Sequence, residues 1–162
     1  MSAGKLSRLA YGAILVVTLG VMAAAATSVG LEKSHERAAA RRVTDLACLA
    51  ENVYYEARGE PLVGQYAIAE VTMNRVASRE FANSVCEVVH SRGAFSWTLE
   101  SGLKPPHGYE WRRAQAVASS VYDNTEAPLV GGALYYHATY VSPAWAATRS
   151  QVARIGRHLF YL

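Results

Sequence analysis

The sequence is short of the residues and spacings that announce most chemistries. It has only two cysteines, Cys48 and Cys86, too few for a disulfide-built scaffold. Its 16 Lys and Arg against 13 Asp and Glu give a formal net charge of +3, without any dense basic block. Nucleic acid is therefore not expected as a partner; a weak pull toward anionic surfaces is all that this balance supports. The five histidines, His35, His90, His107, His137 and His158, form no HExxH or other close ligand pair. No metal or cofactor is expected, and a zinc amidase built from distant histidines has no positive signal. GxSxG, P-loop and dinucleotide-binding glycine patterns are absent as well. What the chain does have is apolar material: 51% of its 162 residues against 18% charged, enough for a sizeable core. That length holds one domain and a tail.

Lys5 and Arg8 precede residues 9–30, LAYGAILVVTLGVMAAAATSVG, which carry no charge. A basic start before an apolar run is an export signal. The run is about long enough to cross a bilayer as a helix, and Ala24 and Ala26 fit an A-x-A cleavage site. Residues 1–30 are thus either a cleaved signal peptide or a membrane anchor with its N-terminus in the cytoplasm. Both place the remainder in the periplasm or cell envelope. Residues 31–43, LEKSHERAAARRV, read as a linker or an exposed helical stalk, with His35 solvated. In an exported domain the two cysteines point to a Cys48–Cys86 disulfide, with two buried free thiols as the alternative.

The folded domain is expected from residue 44 to 162, with Thr44 as an N-cap and Asp45 at the positive end of the first helix dipole. Leu46, Leu49, Ala50, Val53 and Ala57 fall on one helical face, and Gly59 and Pro61 end the helix. At about 100° per residue, Glu56 lies beside that apolar stripe, near the helix C-terminus. The negative end of the dipole and partial burial both disfavour an ionised carboxylate there. A glycosidase acid needs that setting; a partly exposed structural glutamate is the plainer alternative. Arg58 would oppose the effect if it turned toward Glu56.

A second helix puts Val63, Ala67 and Val71 on one face with Ile68 beside them and Asn74 continuing it, while Arg75 and Arg79 are expected to face water. A buried Asn needs hydrogen-bond partners, so Asn74 is either a core clamp or a site residue. A loop with Phe81 leads to a short helix around Val85, Val88 and Val89. Then RGAFSWTLESGLKPPHGYEWRRA alternates Gly, Pro, Ser and aromatics with no helix or strand period. Long irregular loops tend to be functional, and the faces of Phe95, Trp97, Tyr109 and Trp111 suit sugar rings; alternatively Phe95 and Trp97 plug the core. A helix from Trp111 to about Asn124 turns Ala114, Val117, Ala118 and Val121 inward, and a turn-rich loop, a short strand and the closing segment SQVARIGRHLFYL follow.

LAENVYYEARGEPLVGQYAIAEVTMNRVAS, FANSVCEVVHSRGAFSWTLESG, GGALYYHATYVSPAW and IGRHLFYL, in that order over roughly residues 46–162, resemble the SleB/CwlJ-type cell wall hydrolase catalytic domain. EARGEP-x-x-GQ together with (I/V)-x-N-R-V is specific. The resemblance implies a mainly helical α+β domain of lysozyme-like, lytic-transglycosylase-like arrangement behind the N-terminal apolar segment. It implies cleavage of peptidoglycan between MurNAc and GlcNAc, and its catalytic glutamate falls on Glu56. Gln65, Asn74, Phe95, Ser96, Tyr136 and His137 match positions expected near the groove, and Glu60 is counted with them. A transglycosylase route needs one carboxylate; hydrolysis calls for a second, for which Glu60, Glu70, Glu100 and Asp123 are available. A non-catalytic peptidoglycan-binding module and a metal-dependent amidase are the other classes. The separate peptidoglycan-binding domain of many spore-cortex members is not seen upstream, which favours ordinary envelope peptidoglycan. Oligomeric state is not legible.

Overall fold

The computed structural model describes residues 3–125 and 127–162, with side chains from Gly30 onward. The expected signal or anchor in residues 1–30 lies outside the described side chains apart from Gly30. No helix among the described residues is long and apolar enough to cross a membrane. The chain divides into two compact units, Met1–Arg42 and Val43–Leu162.

Helix α1 spans Ala3–Ala57, so it does not start at Thr44. Residues 31–58 contain neither glycine nor proline and are rich in Ala, Glu and Arg, so nothing halts the helix there. Asp45 does not begin a helix either. It is buried, and its Oδ1 accepts the backbone N–H of Val85 (3.2 Å), in the first turn of another helix.

Within the second unit α1 buries Leu49, Ala50, Val53, Tyr54 and Ala57. Its last turn closes as the Glu60 N–H donates to Ala57 O (2.9 Å). Pro61 then opens α2, Leu62–Ala77, whose N-terminal turn needs no N–H at that position. Next come α3, Val85–His90, a 3-10 turn over Ser96–Leu99, and α4, Gly108–Tyr122. Strands β1 (Tyr135–Ala138), β2 (Gln151–Ile155) and β3 (His158–Tyr161) form an antiparallel sheet in the order β1-β3-β2. Gly156 and Arg157 make the two-residue turn between β2 and β3, and Gly156 takes φ 58° there.

Helix α2 sits between two apolar clusters. Ala69 packs with α1, α3, α4, Phe95 and Trp97. Ala67, Ile68 and Val71 pack with Val130, Ala133 and Phe160 over the sheet. Two expectations for this helix fail. Val63 is exposed, while Gly64 and Gln65 of the same first turn are buried, so the buried side of α2 there is not the Val63 side. Arg75 is buried at 7% exposure rather than facing water.

A buried polar triad locks α1 to its neighbours. Trp97 Nε1 donates to Asn52 Oδ1 (2.9 Å), and Asn52 Nδ2 donates to Thr72 Oγ1 (3.1 Å). The amide oxygen and the amide nitrogen of the buried Asn52 thus each have a partner. Cys48 of α1 and Cys86 of α3 are joined as a disulfide across 38 residues, with Cα atoms 5.2 Å apart. Replacing both by serine is expected to lower the unfolding free energy by about 4 kcal/mol, through the freed loop of the unfolded chain. Urea titration of the double variant against the parent measures it; equal midpoints would refute it.

Candidate active site

Glu56 occupies the last turn of α1, one residue before its end. It is half-buried on the floor of a cleft of about 430 Å³. Tyr136, from β1, donates its hydroxyl to Glu56 Oε2 (3.1 Å). The backbone N–H of Ser96, at the start of the 3-10 turn, is a second donor to the carboxyl. Burial pushes the Glu56 carboxyl above its ordinary range. Tyr136, the Arg75 charge and the Ser96 N–H pull it down less strongly, and Glu100 adds to the rise. Glu56 is thereby biased toward its protonated form.

The walls combine flat rings and charge. Tyr55 stacks on Trp97 (4.7 Å between centroids, 27°), and its hydroxyl is pinned to Lys104 O at 2.9 Å. Tyr140 stands at the cleft, 82% exposed. Arg58 also lines the cleft, but its guanidinium lies over the Tyr54 ring, 5.1 Å from the centroid. The cation acting on Glu56 is Arg75.

Glu60 borders the same cleft yet is fully engaged. Its side chain is 3% exposed. Arg157 gives it two hydrogen bonds, from the backbone N–H to Oε2 (3.1 Å) and from Nε to Oε1 (2.7 Å), and its Nη2 completes the ion pair 2.7 Å from Oε1. Burial pushes the Glu60 carboxyl up, but the Arg157 N–H groups and the neighbouring positive charges outweigh it and hold it below its ordinary range. A Cβ on Gly156 would collide with Glu60 Oε2, so glycine is required in that turn for space as well as for φ.

The remaining expected residues part company. Ser96 lines the cleft with Glu56, Glu60 and Tyr136. Gln65 is buried behind it, its Nε2 donating to Glu60 O (3.1 Å). Phe95 is buried in the core. Asn74 donates to Ala133 O (3.1 Å) and borders a separate apolar cavity of about 640 Å³. His137 follows Tyr136 on β1 and so points to the opposite sheet face. There it stacks on Tyr161 (5.3 Å, 19°), with Nε2 3.0 Å from the Tyr161 hydroxyl. Among the spare carboxylates, Glu70 accepts the backbone N–H groups of Leu129 and Val130 (2.7 and 3.2 Å), and Asp123 caps α4 with Ser119 Oγ at 3.3 Å. Glu100 is exposed and lines the cleft.

Three contributors were not picked out as site residues from the sequence: Arg75, His158 and Asn52. His158 lines the cleft with its ring edge-on to Tyr136 (5.4 Å, 81°). For Asn52 a signal existed, since it lies four residues before Glu56 on the same side of the helix. For Arg75 and His158 nothing local reveals burial.

This arrangement defines a mainly helical domain with a small sheet and a carboxyl-bearing cleft at a helix end. The chain belongs to the cell wall hydrolase family, whose model matches residues 59–161. It is 35% identical over 117 residues to a spore cortex-lytic enzyme of Bacillus cereus, covering 72% of this chain and 43% of that protein. It is 36% identical over 116 residues to that of Bacillus subtilis strain 168, covering 72% and 37%. The chain thus spans about two fifths of these relatives. Among solved structures it resembles the catalytic domain of the Bacillus cereus SleB protein, with TM-score 0.61 and 35% identity over 73% of this chain and 89% of that one. The catalytic domain of the germination-specific lytic transglycosylase SleB from Bacillus anthracis matches equally, with TM-score 0.61 and 34% identity over 73% and 93%.

The two glutamates are opposite in sign. The folded state holds the Glu56 proton more tightly than the unfolded chain, so stability falls as pH rises from the ordinary carboxyl value through the raised one. Glu60 contributes stability above its ordinary value, and loses it as pH falls through its lowered folded value. Glu56→Gln is therefore expected to be more stable than the parent at neutral pH, with the gap closing on acidification. Glu60→Gln is expected to be less stable at neutral pH by about 2 kcal/mol, with the deficit shrinking in acid. Urea midpoints across a pH series check both; the reverse ordering of the two variants refutes the assignment.

Proposed function

We propose that residues 44–162 cleave peptidoglycan glycan strands between MurNAc and GlcNAc as a lytic transglycosylase, with Glu56 as acid and then base. One observation carries this: a half-buried carboxyl, biased toward protonation, on the floor of a cleft walled by aromatic rings. The printed names of the relatives, spore cortex-lytic enzyme and germination-specific lytic transglycosylase, support the same chemistry.

Protonated Glu56 gives its proton to the glycosidic oxygen as the C1–O bond breaks through an oxocarbenium-like state. The new carboxylate is held by Tyr136 and Ser96 N–H, with Arg75 as counter-charge. It then takes the proton of the MurNAc 6-hydroxyl, whose oxygen closes on C1 to form a 1,6-anhydro ring. Glu56 ends protonated, and no water is consumed. Ser96 and Tyr136 orient the acid, while Tyr55 and Tyr140 offer faces to sugar rings. Glu60 and Gln65 hold the turn behind Glu56, and Asn74, Phe95 and His137 act at one remove, by fixing loop, core and strand. Residues 1–30 serve as signal or anchor and 31–43 as the linker, placing the domain in the cell envelope.

A second reading, hydrolysis with Glu100 as base, is favoured by one fact: Glu100 lines the same cleft. Digestion of purified sacculi with parent and Glu56→Gln, followed by mass spectrometry, separates the possibilities. Anhydro-muropeptides are expected from the parent, with turnover reduced about 10²- to 10⁴-fold in the variant. Reducing ends in place of anhydro ends would support hydrolysis. Released stem peptides without new glycan ends would support an amidase. Undiminished sacculus binding without any cleavage by the parent would support a binding module.

A further inference from the structure

The chemistry above treats Arg75 only as a counter-charge, yet its contacts reach further. It is the one buried cation among the described residues. Its Nε donates to Leu134 O (2.8 Å). Its guanidinium lies over two rings, Phe81 and Phe95, each 5.2 Å from the centroid. Nη1 finds no hydrogen-bond partner among the described residues. A buried ion with an unmatched donor is costly, so the arrangement needs a reason beyond stability.

The reason lies in what Arg75 touches. Glu56 is held by two donors, the Tyr136 hydroxyl and the Ser96 N–H. Tyr136 stands two residues after Leu134, on the same strand direction and the same sheet face. Ser96 directly follows Phe95. One guanidinium on α2 therefore fixes both segments that deliver a donor to Glu56, and the neighbouring Asn74 fastens Ala133 of the first segment (3.1 Å). We propose that Arg75 is a positioning residue for Glu56: through Leu134 and Phe95 it sets the two donors that aim the carboxyl into the cleft. This rests on the reading of Glu56 as the reactive acid.

Charge and placement predict different things, and that makes the role testable. The groups facing Glu56 are Tyr136 from β1, the Ser96 N–H and Glu100 from the two ends of the 3-10 turn, and Arg75 from α2. Arg75, Tyr136 and the Ser96 N–H favour the carboxylate; burial and Glu100 favour the acid. Lysine at position 75 keeps the charge but has neither the planar fork nor its stacking. A displacement of about 1 Å at a reacting group costs on the order of 100-fold in rate.

Arg75→Lys, Arg75→Met and Tyr136→Phe are made in the full chain with the disulfide intact. The Glu56 carboxyl is titrated by carbon-13 NMR, its resonance identified by its loss in Glu56→Gln. Turnover of sacculi gives kcat and KM. Arg75→Met is expected to raise the Glu56 midpoint and Arg75→Lys to bring it back toward the parent. Neither restores kcat, which stays about 10- to 100-fold down with KM within about twofold. The Arg75→Lys, Tyr136→Phe double variant is expected to lose less than the product of the single losses, because both act on one donor. Parental kcat in a folded Arg75→Lys protein overturns the proposal, as do fully multiplicative losses. If Arg75→Met does not fold, the double variant decides. If the parent releases no glycan fragments, the glycosidase reading fails by itself. The positioning claim is then decided by the midpoints: Tyr136→Phe is expected to raise the Glu56 midpoint less in Arg75→Lys than in the parent, and an equal rise in both sinks it.

Discussion

One constraint organises this domain: a carboxyl must sit at the end of a helix, out of bulk water, and still face a cleft. Glu56 meets it because α1 stops one residue later. The stop comes from Gly59 and Pro61 and is then secured by Glu60. The Glu60 carboxylate pairs with Arg157 in the turn of the β2–β3 hairpin, through two hydrogen bonds and an ion pair. The four residues after Glu56 thus end its helix, turn the chain and fasten the sheet. The two glutamates differ in what surrounds them: burial biases Glu56 toward its proton, and Arg157 holds Glu60 as its anion.

Strand β1 does the corresponding work from the sheet. Its side chains alternate. Tyr136 and Ala138 face the cleft, while Tyr135 and His137 face away. On the far side Trp145 packs against Tyr135, His137 and Tyr161, and the Arg149 guanidinium lies 3.3 Å from the Tyr135 ring centroid. A small antiparallel sheet needs an apolar face or a packed helix to be stable, and a buried face specifies its register. This aromatic layer covers one, and Ile68, Val71 and Val130 cover the other through Phe160. A shift of one residue in β1 would send Tyr136 into the aromatic layer and leave Glu56 without its hydroxyl donor. The distant cluster therefore bears on the site by fixing register alone.

Much of this was legible in the sequence. The α1 stripe, the stop after Ala57, the short helix at Val85–His90 and the inward face of α4 follow from periodicity and from Gly and Pro. The half-buried position of Glu56 follows from its angle to the stripe. What was not legible depends on long-range pairing. Arg75 looked like a solvent-facing helix residue, because nothing local shows that Leu134, Phe81 and Phe95 close over it. Gln65, Asn74 and Phe95 read as groove residues from resemblance, whereas their contacts are with turn, loop and core. The missing start at Thr44 is a different case: a good N-cap residue has no effect when helix formers precede it without a break. The β2–β3 hairpin carried a signal in the glycine between two alternating runs, QVARI and HLFY, but its meaning depends on Glu60, nearly a hundred residues away.

The same contacts bear on which chemistry the cleft supports. Hydrolysis by inversion needs a second carboxylate free to hold water. Glu60 is the nearest in sequence, but its side chain is 3% exposed and paired with Arg157, which biases it toward its charged form. Glu70 is bound to the Leu129 and Val130 backbone. That leaves Glu100, on an exposed loop, as the group whose charge raises the proton affinity of Glu56. On the proposed route, a neighbour that keeps the acid protonated would help the first half of the reaction and hinder the second, in which Glu56 would act as base. Tyr136, the Ser96 N–H and Arg75 act in the other direction. The cleft thus holds opposed influences on a single carboxyl, which is the balance the proposed route asks of one group that first gives a proton and then takes one back.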